Sequence, residues 1–341
     1  MVSTRSSGDA VRVAVVGTGY WGRNHVRVWR ELLDEGAIDD LVLFDIHRPT
    51  VERLSRDFGL PVAPDMDSIV HGDADAVDII TPTATHAEMG IEVMRAGKDL
   101  FVEKPMAQTA EEARRMVAVA EETGRILMPG HIFRYHGALN ALHRMIRRGD
   151  LGEVLQIHTH RTTLRIPRTD MGVLLALGIH DVDICAHLLG EMPGTIYCET
   201  QENHVEGIED TAFILLSFPG GTKAFIHESW TYPVGEKTRR LAVIGRRMSA
   251  LIDYLRPTEI VIFDRRIDET DGMALRDEGH RAEMVTYAEP LAEELRDFVR
   301  AVRTREPPAS DMRVGLLSVE MIEAAARSVG EGRPVTFSPS I

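Results

Sequence analysis

The first third of the chain alternates short apolar runs with stretches of helical periodicity. Val11–Val16 is rich in valine and ends at a glycine, the form of a parallel strand buried on both faces. The spacing predicts a helix from about Trp21 to Glu35 and a second strand over Leu41–Asp45. A third strand is expected at Ala76–Ile80, followed by Thr81-Pro82 and a helical stretch through about Ala96. Asp99–Val102 reads as a strand, Ala110–Thr123 as a helix and Ile126–Met128 as a further strand. Strands and helices alternating at this interval predict a parallel, doubly wound sheet with helices on both faces.

Beyond Pro129 the pattern changes. A helix at Ala138–Arg148 precedes a series of strand-like runs: 154–160, 195–200, 212–218, 222–231, 240–244, 249–254 and 259–263. Pro219-Gly220-Gly221 marks a hairpin between two of them. Strands that follow one another without helices predict a mostly antiparallel sheet. The polar stretch from Ile267 to Arg281 is expected to be a loop, and helices at Leu291–Val302 and Val314–Ser328 close the chain. The fold class expected is therefore α/β. Residues 1–129 are expected to form an N-terminal, doubly wound domain of the Rossmann type. Residues 130–341 are expected to form an α+β domain with a mostly antiparallel sheet, its last helices free to pack back on the first domain.

Bulk properties narrow the function without choosing it. At 341 residues the chain exceeds one hydrophobic core, in keeping with two domains. A net charge of -14 argues against a nucleic-acid partner, which needs clustered Lys and Arg. Cys185 and Cys198 form no CxxC or Cys/His array, so neither a disulfide framework nor a metal site is expected. Residues 1–10 carry no apolar leader and no run of about 18 apolar residues occurs, so the expectation is a cytoplasmic protein without a membrane partner.

The candidate chemistry begins at Gly17-Thr18-Gly19-Tyr20-Trp21-Gly22. The loop closes a Val-rich strand and opens a helix, so its glycines permit a tight turn and close approach of backbone to a pyrophosphate. Asp45, 23 residues beyond Gly22, ends the second strand, where a carboxylate accepts from the adenosine ribose hydroxyls. A carboxylate there repels a 2′-phosphate, which favours NAD over NADP. Arg48 close by keeps NADP open. Lys104, within Glu103-Lys104-Pro105, falls at the carboxyl end of a strand, the edge where open α/β sheets bind ligands. A lysine there either donates to a substrate oxygen and relays its proton, or is an ordinary solvated side chain.

Taken in order, these motifs and others resemble the Gfo/Idh/MocA oxidoreductases. The likeness rests on Val16 to Gly22, Thr81-Pro82-Thr83 with His86, Glu103-Lys104-Pro105, Gly130-His131 with Arg134, and Gly178-Ile179-His180-Asp181-Val182-Asp183. It implies that Lys104 is the catalytic lysine and His180 the active-site histidine, with Thr81, Pro82, His86 and Glu103 on the cofactor side. It also implies reversible oxidation of a secondary alcohol, an open-faced sheet in the second domain that serves substrate binding and oligomerisation, and association into homodimers or homotetramers through the outer face of that sheet. Many family members carry Asp four residues before the histidine; this chain has Ala176.

Asp170-Met171-Gly172-Val173 resembles members acting on nucleotide-linked sugars, 3-dehydrogenases of UDP-N-acetylhexosamines in particular. Arg161, Arg165 and Arg168 precede it, as grips for a diphosphate or carboxylate or as solvated charges. Arg161 and Asp170 are the substrate-binding candidates beside Lys104 and His180. The leading function is an NAD-dependent dehydrogenase of a sugar or nucleotide sugar. A cyclitol or free-sugar dehydrogenase and a catalytically impaired NAD-binding sensor are the alternatives.

Overall fold

A computed structural model describes residues 11–235, 237–269 and 272–340. Residues 1–10, where no apolar leader is read, lie outside the described residues. The chain divides into two compact units, one of residues through 132 with Glu289–Val319 and the other of Phe133–Ala288 with the residues from 320 onward.

The first unit is a five-stranded parallel sheet. Its elements are β1 (Arg12–Val16), α1 (Gly22–Asp34), β2 (Asp40–Phe44), α2 (Arg48–Phe58), α3 (Met66–Val70), β3 (Ala76–Ile79), α4 (His86–Arg95), β4 (Asp99–Val102), α5 (Ala110–Thr123) and β5 (Leu127–Pro129). The strand order β2-β1-β3-β4-β5 reverses between β1 and β3, the crevice where such sheets bind ligands. β3 and β4 are buried along their whole length, which is why their sequences run apolar instead of alternating. Thr109 and Glu112 close a reciprocal capping box that fixes the start of α5. α2 and α3 were not anticipated, and both are short helices on the surface of the sheet.

The second unit holds α6 (Gly137–Arg148), β6 (Val154–Thr162), a π-helical turn (Leu174–Gly178), α7 (Ile179–Leu189) and strands β7 (Thr195–Gln201), β8 (Thr211–Ser217), β9 (Lys223–Ser229), β10 (Thr238–Gly245), β11 (Ser249–Asp253), β12 (Glu259–Asp268) and β13 (Ala274–Met284). Pro290–Thr304 forms α8 of the first unit, and α9 (Met312–Glu331) is divided at Val319 between the two. β14 (Val335–Thr336) ends the described chain.

The nine strands run β13-β12-β11-β10-β6-β9-β8-β7-β14, every pair antiparallel except β6 with β9. One face is closely packed, with Ile157, Ile226, Leu241 and Ile252 fully buried. The other carries half-exposed Phe213, Phe225 and His227, with the Phe213 and His227 rings stacked at 4.7 Å.

The loop expected over Ile267–Arg281 is instead, in its described residues, the end of β12 and most of β13, paired from Glu259 with Met284 to Asp268 with Ala274 and shifting register between Phe263 and Arg265; positions 270 and 271 lie outside the described residues. β13 is an edge strand exposed along its length. Having no buried face, it shows no alternation, and its pairing rests on backbone hydrogen bonds and surface ion pairs such as Arg265 with Asp277 at 2.8 Å.

Candidate active site

β1 delivers the chain to Gly17, whose φ of +98° lies in the left-handed region. A Cβ at Gly17 would stand 2.6 Å from the carbonyl oxygen of Ile80, so the turn after β1 and the turn after β3 touch through backbone. A Cβ at Gly22 would collide with the carbonyl oxygen of Gly17. Gly19 differs: it is exposed, and the space its Cβ would take is open. α1 then starts with no side-chain cap and no acid in its first turn, leaving its N–H groups and positive end for an anion. This cradle fits a dinucleotide pyrophosphate.

Asp45 plays a second part that sequence did not disclose. Its Oδ2 accepts from the backbone N–H of Thr18 at 2.7 Å and from the Thr18 hydroxyl at 2.9 Å, and its Oδ1 accepts from the N–H of His47 at 2.8 Å. The carboxylate thereby braces the glycine loop with three of its roughly four acceptor sites. Arg48, the possible 2′-phosphate ligand, donates instead to the carbonyl of Ala63 at 3.1 Å and to that of Pro64. Tyr20 is almost wholly exposed beside the loop.

At the ends of β3 and β4 the remaining first-unit candidates gather. Thr81 and Thr85 share a hydroxyl hydrogen bond of 2.6 Å. His86, expected on the cofactor side, has a buried ring with Nε2 2.8 Å from the carbonyl of Thr81 and Nδ1 2.9 Å from that of Pro105. It ties the Thr81-Pro82 turn to the Glu103-Lys104-Pro105 turn. The Lys104–Pro105 peptide is cis. Lys104 is half-buried, and Glu103 beside it is buried, with Oε1 accepting from Trp21 Nε1 at 2.8 Å and Oε2 from the N–H of Lys104 at 3.0 Å.

Sequence reasoning missed what lies under that turn. His25, on α1, sets Nδ1 2.8 Å from Asp78 Oδ2 and Nε2 3.2 Å from Glu103 Oε1. Trp29 Nε1 donates to Asp78 Oδ2 at 2.7 Å. Burial alone lowers the imidazole's affinity for a proton, but the charge and hydrogen bond of Asp78, with those of Glu103, outweigh it and hold its pKa at about 10. The signal was present in the sequence: a histidine within the apolar face of α1, and an aspartate in the middle of an apolar, fully buried strand.

In the second unit His180 is buried at the start of α7, its ring edge-on to Phe133 at 4.9 Å between centroids. Arg161, expected either to grip an anion or to be a solvated charge, has its guanidinium on a carboxylate of the protein itself. It is buried, gives a bidentate ion pair to Asp181 with Nη2 to Oδ1 at 3.2 Å, and lies 4.1 Å over the Phe133 ring and 5.0 Å over that of Tyr254. Burial pushes the neighbouring Glu228 carboxyl up from its usual range, reinforced by the charge of Asp181. Asp183, also buried, holds Arg134 at 2.6 Å. Asp170 is exposed and bonded to Arg168 at 2.8 Å, so these two satisfy each other at the surface. Ala176 is buried within the π-helical turn. Among the described residues no group of His, Cys, Asp and Glu is arranged to hold a metal ion, and no helix is long and apolar enough to cross a membrane.

The glycine loop, the braced Asp45 and the lysine turn meet at the switch point of a parallel sheet, and two family models cover almost the whole described chain. The oxidoreductase family with an NAD-binding Rossmann fold matches residues 11–131, and the C-terminal alpha/beta domain of the same family matches residues 143–337. The chain belongs to the Gfo/Idh/MocA oxidoreductases. It is 29% identical over 305 residues to the UDP-N-acetylglucosamine 3-dehydrogenase of Acidithiobacillus ferrooxidans, covering 88% of this chain and 91% of that protein. It is 28% identical over 339 residues to the inositol 2-dehydrogenase of Rhizobium meliloti, covering 96% and 99%. A levoglucosan dehydrogenase solved with NADH and levoglucosan shares the fold, with a TM-score of 0.85 at 19% identity over 96% of this chain and 99% of that one. As a Gfo/Idh/MocA protein the chain is an NAD-binding oxidoreductase, and the loop at Gly17–Gly22 lies within the part matched by the NAD-binding Rossmann model.

Proposed function

We propose that the protein is an NAD-dependent dehydrogenase of a ring secondary alcohol on a sugar or nucleotide sugar, with Lys104 and His180 handling the hydroxyl proton. The observation that carries this reading is the lysine turn, fastened through Glu103 to Trp21 of the glycine loop at the carboxyl edge of the sheet. A lysine fixed there has a defined neighbour, the cofactor, and is no ordinary solvated side chain. Bound NAD supplies the hydride acceptor at nicotinamide C4. Lys104 donates to the alcohol oxygen and takes up charge as the carbon–hydrogen bond breaks, and His180 accepts the hydroxyl proton, a role suited to an imidazole. Without a carboxylate at 176, no acid four residues back shares the proton of His180.

The names of the relatives support the class, since both describe dehydrogenation at a ring carbon bearing a hydroxyl. The cyclitol reading is kept by the second of them and weakened by Ala176. The half-exposed aromatic face of the nine-stranded sheet supports association of two or four copies through that surface.

The test is reduction of NAD+, followed by absorbance, with UDP-N-acetylglucosamine, free N-acetylglucosamine, levoglucosan and myo-inositol. Turnover that falls at least about 1000-fold in Lys104→Ala supports the reading. Full turnover in that variant, or NAD+ binding without oxidation of any of the four, overturns it. A Phe213→Glu variant that keeps the oligomer of the wild type overturns the proposed association.

A further inference from the structure

The first unit buries more ionisable groups beneath the Glu103-Lys104 turn than holding a dinucleotide requires. His25 and Asp78 are wholly buried and Glu103 almost so. An imidazole with each nitrogen against a carboxylate oxygen satisfies both only as the doubly protonated cation. Glu103 is shared three ways: Trp21 and His25, from the cofactor loop and its helix, meet one oxygen, and the backbone N–H of Lys104 meets the other. One carboxylate thus joins the glycine loop to the lysine.

We propose that His25 is a positioning residue for the reaction, its imidazolium keeping Glu103 ionised and clamped between the cofactor loop and the backbone of Lys104. This rests on the reading of Lys104 as a residue that touches the reacting alcohol. His25 itself, sealed in the core, touches neither cofactor nor substrate.

The consequence follows from burial. Burial pushes the Glu103 carboxyl up, and the hydrogen bond and charge of His25, with the charge of Lys104 and the Trp21 hydrogen bond, hold it below its usual range. The other groups facing the cluster do not replace that cation. Glu294 on α8 is fully buried, and as an acid whose charged form burial disfavours it supplies no cation. His86 on α4 is kept neutral by burial. Asp78 on β3 and Asp297 on α8 are acids, and both raise Glu294. With His25 removed, Glu103 takes a proton within the working pH range. A protonated carboxyl is a weaker acceptor for the Trp21 and Lys104 N–H groups, and the turn loosens.

The experiment measures kcat and KM against pH with NAD+ and whichever of UDP-N-acetylglucosamine or myo-inositol is oxidised, for wild type, His25→Gln, Glu103→Gln, the double variant, Trp21→Phe and Lys104→Ala. Calorimetry with NAD+ alone is run beside it. His25→Gln is expected to lower kcat about 30-fold near pH 6 but only about 3-fold near pH 9, because Glu103 ionises again as pH rises. Its NAD+ dissociation constant is expected to stay within about 3-fold of wild type, separating positioning from cofactor binding. Glu103→Gln lowers kcat at every pH, and adding His25→Gln to it costs nothing more. Trp21→Phe, at a partly exposed site that does not endanger folding, removes one donor from the same oxygen and gives a smaller deficit of the same pH form. A deficit independent of pH in both His25→Gln and Trp21→Phe, or an undiminished cost of His25→Gln in the Glu103→Gln background, overturns the proposal. If Lys104→Ala keeps its turnover, the assignment of Lys104 has failed; if it is inactive while His25→Gln shows a flat profile, only the role of His25 has.

Discussion

Each unit buries a charged cluster next to a candidate catalytic side chain, and the two are built alike. In the first, Glu103 precedes Lys104 and is held by the His25 cation. In the second, Asp181 follows His180 and is held by the Arg161 cation. Both anchor a carboxylate one residue from the reactive group, which fixes the backbone there more firmly than surface contacts would. They differ in the cation. A guanidinium keeps its charge at every working pH, while an imidazolium owes its charge to its carboxylate neighbours. The clamp on Glu103 is therefore open to pH and the clamp on Asp181 is not.

The largest effect that would break this comparison is expected at Arg161. Arg161→Met should destabilise the protein by about 3–5 kcal/mol, because it leaves the Asp181 charge buried without its partner. Urea unfolding measures this, and a loss under about 1 kcal/mol would mean that the pair holds nothing. Second is the pH dependence of stability. His25 has a folded pKa of about 10 against about 6.5 unfolded, so its contribution is complete below about pH 6.5 and lost as pH rises toward 10. Thermal unfolding of wild type should weaken across that window by an amount on the order of a few kcal/mol, and His25→Gln should flatten the slope. Arg161 contributes no slope there.

Smaller effects sharpen the cofactor side of the first region. Gly22→Ala should weaken NAD+ binding by at least about 100-fold, since its methyl group meets the Gly17 carbonyl and the loop must move. Gly19→Ala should leave thermal stability unchanged and weaken NAD+ binding by about 10-fold, since its methyl group points into open space that the pyrophosphate would use. Calorimetry separates the two. Arg48→Ala is expected to shift the preference between NAD+ and NADP+ by less than about 3-fold, because its donors already serve Ala63 and Pro64.

The parallel sheet was legible because strands buried on both faces write continuous apolar runs, as at β1 and β4. The nine-stranded sheet was legible where one face is buried, as in β7 and β11, and illegible at β13, which has no buried face to impose a period. The glycine loop and the lysine turn were readable as motifs because their chemistry is local. His25 with Asp78 and Arg161 with Asp181 were not, since each pairs residues 53 or 20 positions apart that only the fold brings together. For Arg161 the choice between anion grip and solvated charge stayed open because sequence carries the charge of an arginine but not its partner.

The central claim is that Lys104 serves a hydride transfer from a secondary alcohol to NAD+. The most direct measurement uses UDP-N-acetylglucosamine deuterated at C3 and myo-inositol deuterated at C2, with mass spectrometry of the recovered cofactor. The account predicts that wild type moves deuterium from one of them to the nicotinamide ring and that Lys104→Ala does not. Cofactor that is bound yet acquires no deuterium from either, or label transfer undiminished in Lys104→Ala, would contradict it.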